Sequence, residues 1–192
     1  VAAATERDDG PTITGIARPH FERPAAKLRI TLDRLLGEHA FLLIDTMRTG
    51  VNEGGDFEDA AAALEENTVE LIDSVYGAAA AERFGELWRS HHAYLVDYAR
   101  AVAANDDTAR DLADDELAAY VDDFPELLAG ANPFLSGDAV RGLITEHVQQ
   151  LEQVAALGSA DYAEAYPAIR ETYQHMFMVG NGLAAAIIRQ FP

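Results

Sequence analysis

Leu143-Ile144-Thr145-Glu146-His147 decides the reading of the fold, because the chain holds three versions of this stretch. Its echoes are Leu35-Leu36-Gly37-Glu38-His39 and Leu87-Trp88-Arg89-Ser90-His91, and their histidines follow one another at intervals of 52 and 56 residues. Each copy continues into apolar residues at helical spacing and sets its histidine on the apolar stripe. A second helix follows every copy. The pattern predicts an all-α protein, an up-and-down bundle of about six helices built as three pseudo-repeated helical hairpins.

Outward from these copies, periodicity and Gly, Asn, Asp and Pro punctuation predict helices over about 25–48, 56–76, 78–104, 108–129, 138–157 and 160–190. The first carries Leu28, Leu32, Leu35, Leu36, His39, Leu42, Leu43 and Thr46 on one stripe, and Gly50-Val51-Asn52 should end it. The second turns Leu64, Asn67 and Leu71 inward, and the third Phe84, Leu87, Trp88, His91 and Leu95. The fourth should bury Leu112, Leu117, Tyr120, Phe124 and Leu127 and bend at Pro125. The sixth should bury Ala168, Thr172, His175, Val179 and Leu183 and kink at Gly180-Asn181-Gly182. Residues 1–24, rich in Gly and Pro, are expected to form a flexible arm before a single helical domain over 25–192.

Composition removes several functions. With no cysteine in 192 residues, thiolate zinc sites, iron–sulfur clusters, thiol catalysis and disulfides are excluded. A formal net charge of −19, with Lys27 the single lysine, repels nucleic acid and anionic membranes. No stretch approaches the roughly 18–20 apolar residues of a membrane span. Val1-Ala2-Ala3-Ala4 reads as the remnant of a signal-cleavage region or as a trimming boundary, and the first reading predicts an extracytoplasmic or secreted location.

The chemistry lies in the histidines. His20 falls in the arm, whereas His39, His91, His147 and His175 each fall on an apolar stripe. A lone histidine on such a face is usually a hydrogen-bonded core residue, but several converging from different helices share their desolvation best around one ion. Glu38-His39 and Glu146-His147 are adjacent pairs about 100° apart on a helix, so one member ligates while the other supports a neighbour. Glu171 and His175, four residues apart, share a face. His175-Met176-Phe177-Met178 adds thioethers, which beside imidazole suit copper. His91-His92 reads as one core and one boundary residue, with His92 at the edge near Trp88 and Val96. Asn67 follows His39 by the same 28 residues that separate His175 from His147, and Tyr120 follows His91 by 29. These inward polar groups form either one central network or three local ones. The Glu-x-x-His pattern of di-iron bundles, phosphate loops, nucleophile elbows and zincin motifs are all missing, and Asp111 to Glu116 is a solvated face.

Leu35-Leu36-Gly37-Glu38-His39, Glu66-Asn67-Thr68-Val69-Glu70-Leu71, Ser74-Val75-Tyr76-Gly77, Leu87-Trp88-Arg89-Ser90-His91, Ala131-Asn132-Pro133 and His175-Met176 together carry a resemblance over residues 28–192. The chain resembles a largely uncharacterised family of exported bacterial all-helical proteins, sometimes found in chains labelled copper-amine-oxidase-like. The resemblance implies an exported helical repeat protein, and no site residue is carried over from it. The leading functional expectation is a non-catalytic exported protein that binds a metal or cofactor: copper first, then zinc or iron, with haem behind them. Its ligands would be His39, His91, His147 and His175, supported by Glu38, Glu146, Glu171, Met176 and Met178. The alternative is a structural or interaction module of an extracytoplasmic assembly, with no metal and a protein partner the sequence does not specify. An oxidase would need an access pocket beside the histidines.

Overall fold

The computed structural model describes residues 24–52, 55–75, 78–158 and 161–191. The predicted arm, apart from Pro24, lies outside the described residues, and so do His20 and Val1-Ala2-Ala3-Ala4. Among the described residues there are six helices and no strand: α1 (Pro24–Val51), α2 (Phe57–Val75), α3 (Ala78–Ala104), α4 (Asp107–Ala131), α5 (Gly137–Gly158) and α6 (Tyr162–Gln190). Connections of two to five residues force neighbours in sequence to run antiparallel. Helices α1, α3 and α5 each touch the other two, while α2 bridges α1 and α3, α4 bridges α3 and α5, and α6 bridges α5 and α1. Three inner helices are therefore ringed by three outer ones. All three histidine-bearing copies sit on the inner helices, near their midpoints.

Local chemistry sets the helix ends. Asn105 takes a left-handed conformation, φ 55°, which Asn tolerates better than most residues. Its N–H bonds to the Val102 carbonyl and the Asp106 N–H to the Ala101 carbonyl, the paired bonds that close a helix at a left-handed residue. Asp106 then caps α4 by accepting from the Ala109 N–H at 3.0 Å. Asp161 caps α6 in the same way, accepting from the N–H groups of Ala163 and Glu164.

Pro125 stands inside α4 without ending it. A proline has no N–H, so the Val121 carbonyl four residues earlier loses its helical donor. Arg141 of α5 supplies one, donating to that carbonyl at 3.2 Å while it pairs with Asp122. Helix α6 continues through Gly180-Asn181-Gly182. Gly180 serves close packing: a Cβ there would lie 2.8 Å from Asp33 Oδ1 on α1. Likewise α1 runs through Gly50, where a Cβ would meet Phe57 and Val96 at 3.1 Å.

The core is built from the predicted stripes, with Leu32, Leu35, Leu43, Leu95, Leu117 and Leu151 fully buried. Leu112 is the exception. It is 62% exposed, because the inward face of α4 runs through Ala113, Leu117, Tyr120, Phe124 and Leu128, and Leu112 lies one position off it. Arginines tie outer helices to inner ones: Arg89 clasps Glu65 of α2 through two nitrogens, and Arg34 reaches Glu70. These pairs are exposed, worth at most about 1 kcal/mol each, so apolar burial holds the bundle. Replacing Leu117 with Ala should cost about 2–5 kcal/mol, and Leu112→Ala should stay within about 0.5 kcal/mol. Urea unfolding of the two variants checks both values.

Candidate metal centre

The three inner helices deliver one imidazole each to a common layer. His39 of α1 and His91 of α3 lie with ring centroids 5.4 Å apart, and His147 of α5 lies 5.8 Å from the first and 6.3 Å from the second. All three are buried. His92 joins them at 5.2 Å from His39 and 4.5 Å from His91, and it alone of the four is partly exposed to solvent. His39, His91 and His92 each present a ring nitrogen such that all three atoms fall within 4.8 Å of one another. Among the described residues this is the one such trio of histidine or carboxylate ligand atoms.

Little of this nitrogen makes a well-formed hydrogen bond within the protein. Both ring nitrogens of His39, His91 and His147, and Nε2 of His92, are buried without a hydrogen-bond partner. Aromatic rings wall the layer: Trp88 lies 4.6 Å from His39 and 5.0 Å from His91, and Tyr120 stacks on His91 at 4.7 Å. Burial, followed by the neighbouring imidazoles, holds the pKa of His39 and of His91 well below the ordinary histidine value; the Trp88 backbone opposes this weakly at His91. The same causes push His147 down to about 3, with His175 its neighbour. Burial, then His147 and Arg89, lower His92 to about 3. Neutral imidazoles with free lone pairs are the form that binds a metal ion. Coordination at about 2.1 Å per nitrogen would ask the trio to close by at most about 1.5 Å.

The other expected ligands are placed differently. His175 is buried and stacks 6.5 Å from His147, but its Nε2 donates to the Leu143 carbonyl at 2.8 Å. That bond leaves Nδ1 facing Glu146 Oε1 at 3.5 Å. Glu146 also accepts from Gln150 and is half exposed, and Glu38 pairs with Arg34 and accepts from Asn67. Glu171 is exposed, as is Met178 at 51%, because both fall on the outward side of α6 while His175 and Met176 turn in. The imidazoles, then, converge without the carboxylates and without a pair of thioethers.

His92 is the residue whose role the spacing understated. The signal was available: Trp88 four residues before it and Val96 four after are both buried, so His92 sits on a second inward-facing row of α3. Asn67 and His175 prove to be matched local anchors. Asn67 Nδ2 donates to the Leu35 carbonyl at 3.0 Å and His175 Nε2 to the Leu143 carbonyl, in each case across 32 residues and onto the carbonyl four before an inner histidine. In the second hairpin the Leu87 carbonyl accepts from Ser90, and the buried Tyr120 hydroxyl has no partner. No protein family, curated protein or solved structure matches the chain.

The lowered pKa values set a pH dependence. Between about pH 6.5 and 3 the unfolded chain binds protons at these histidines and the folded chain does not, so stability present above pH 6.5 is lost as pH falls. Glu152, pushed up to about 7 by burial and by Asp114, works the other way, losing stability as pH rises from its ordinary value towards 7. Four groups outweigh one. From pH 6.5 to 5, urea midpoints of the metal-free protein should fall, and His147→Leu should flatten the slope by up to about 1.4 kcal/mol per pH unit.

Proposed function

We propose that the protein binds a transition-metal ion in its core through His39, His91 and His92, with His147 the next imidazole within reach. The observation that carries this reading is the convergence of ring nitrogens from three neutral imidazoles on two helices to within 4.8 Å, beside buried nitrogens of His39, His91 and His92 that lack hydrogen-bond partners. A buried polar atom left unpaired costs about 1–3 kcal/mol, and a bound ion would satisfy several at once. An all-imidazole set suits copper and zinc better than magnesium or calcium, and Cu(II) leads the order of affinity for such donors. Copper is therefore the first candidate and zinc the second. His92, at the solvent edge of the layer, is the natural entry point. Without a carboxylate base among the ligands the reading is of binding and holding an ion rather than catalysis.

A second reading has its own support. The hydrogen bonds of Asn67 and His175 to carbonyls on inner helices pin α2 against α1 and α6 against α5. Inward polar residues that fix helix register would serve a structural or interaction module equally well.

Titration of chelator-stripped, tag-free protein with Cu(II) and with Zn(II) separates the two. One ion per chain should remain after desalting, measured by elemental analysis. Trp88, the single tryptophan, lies close enough to His39 for Cu(II) to quench its emission. His39→Leu and His91→Phe should each weaken uptake by roughly 100-fold or more. With no ion present, each variant should be at least as stable as the parent, because an apolar side chain replaces unpaired nitrogen. A folded protein that takes up neither ion, nor Fe(II), nor haem would leave the register reading standing alone.

A further inference from the structure

The turn of each inner helix that precedes its histidine does not pack solid. Leu36 stands three residues before His39, Trp88 three before His91, and Leu143 and Ile144 four and three before His147. All four line a cavity of about 250 Å³. Because the inner helices run in the same direction, these turns lie on one side of the imidazole layer, roughly 5.4 Å away along the helix axes. Trp88 is the partition, touching the histidines on one side and the cavity on the other.

The wall is almost wholly apolar. Phe84 stacks on Trp88 at 5.4 Å and Phe124 packs against both, so three aromatic rings form one side, with Val179 and Leu183 of α6 opposite. Ser136 supplies the one side-chain hydroxyl, and no charged residue lines the space. The loop between α4 and α5 contributes Phe134, Leu135 and Ser136 to the lining. There Phe134 is partly exposed, its N–H is held by the Asn132 side chain, and the Arg189 guanidinium lies 4.6 Å over its ring. The loop is thus clasped rather than loose.

We infer that this cavity is a binding site for a small uncharged aromatic molecule. An apolar cavity of about 150 Å³ stays dry and accepts benzene, so about 250 Å³ has room for a second fused ring. The volume is too small for a helix or a length of chain. The lining offers nothing to solvate a charge, so an ionised ligand would lose its hydration without replacement. The aromatic wall favours a planar ligand through stacked and edge-to-face contacts. The site stands whether or not a metal occupies the imidazole layer, since no cavity-lining residue is a proposed ligand.

The test uses the full chain in chelator, with naphthalene and p-xylene as probes and benzoate as the charged control. Both neutral probes should raise the melting temperature and shift Trp88 emission or the methyl signals of the cavity leucines. Naphthalene should bind more tightly than p-xylene, and benzoate at least 10-fold more weakly than either. Val179→Phe, which fills the cavity, should abolish binding; Leu143→Phe serves the same purpose should the first variant fold poorly. Absence of binding by both neutral probes, or binding undiminished in a folded cavity-filled variant, overturns the inference. Neither result bears on metal uptake, which is read separately.

Discussion

The desolvated imidazole layer is the constraint around which the bundle is arranged. Three inner helices bring His39, His91 and His147 to one level, where their ring nitrogens lack well-formed hydrogen bonds. Apolar burial must carry that cost. It does so through Leu32, Leu35, Leu43, Leu95, Leu117 and Leu151, all fully buried on the same helices or their neighbours. A fold selected for stability alone would place Leu or Phe at these positions. Unpaired polar groups at the centre of a core lower its stability, and the proposed metal ion would offset that cost.

The outer helices fasten the layer, and they do so unequally. Asn67 and His175 reach the carbonyl one turn before His39 and His147, each with a glutamate, Glu38 or Glu146, beside it. The middle hairpin departs from this plan. Ser90 satisfies its own helix, Tyr120 stacks on His91 without bonding a carbonyl, and His92 brings a further imidazole into the layer. The trio of close ring nitrogens forms where the pattern is broken. Two of its members are consecutive residues of α3, so the metal-ready geometry belongs to the contact between α1 and α3.

The apolar cavity and the imidazole layer are two levels of the same interior, divided by Trp88. One level is rich in lone pairs and the other has almost none. Their closeness means that a change at either should be felt by the tryptophan ring between them, through packing alone.

Period and punctuation in the sequence determined six helices, their order and their buried faces, because burying one stripe per helix admits few alternatives. α3 is bounded by the very residues its pattern marks, and most other ends fall within two or three residues of expectation. Leu112 was misjudged because an apolar residue one position off a stripe still looks periodic, and only the packing of α4 shows which row faces in. The inwardness of His39, His91, His147 and His175 was equally legible, since it depends on the same stripe. Which of them meet was not. His175 was within reach of His147 but bonds to a carbonyl, Glu171 and Met178 turn outward, and His92 enters the layer from an edge. Those outcomes depend on rotation and crossing of whole helices, where a shift of an ångström or two separates a ligand from a bystander. Tertiary structure alone decides that, because local sequence sets the face of a helix and not the distance between faces.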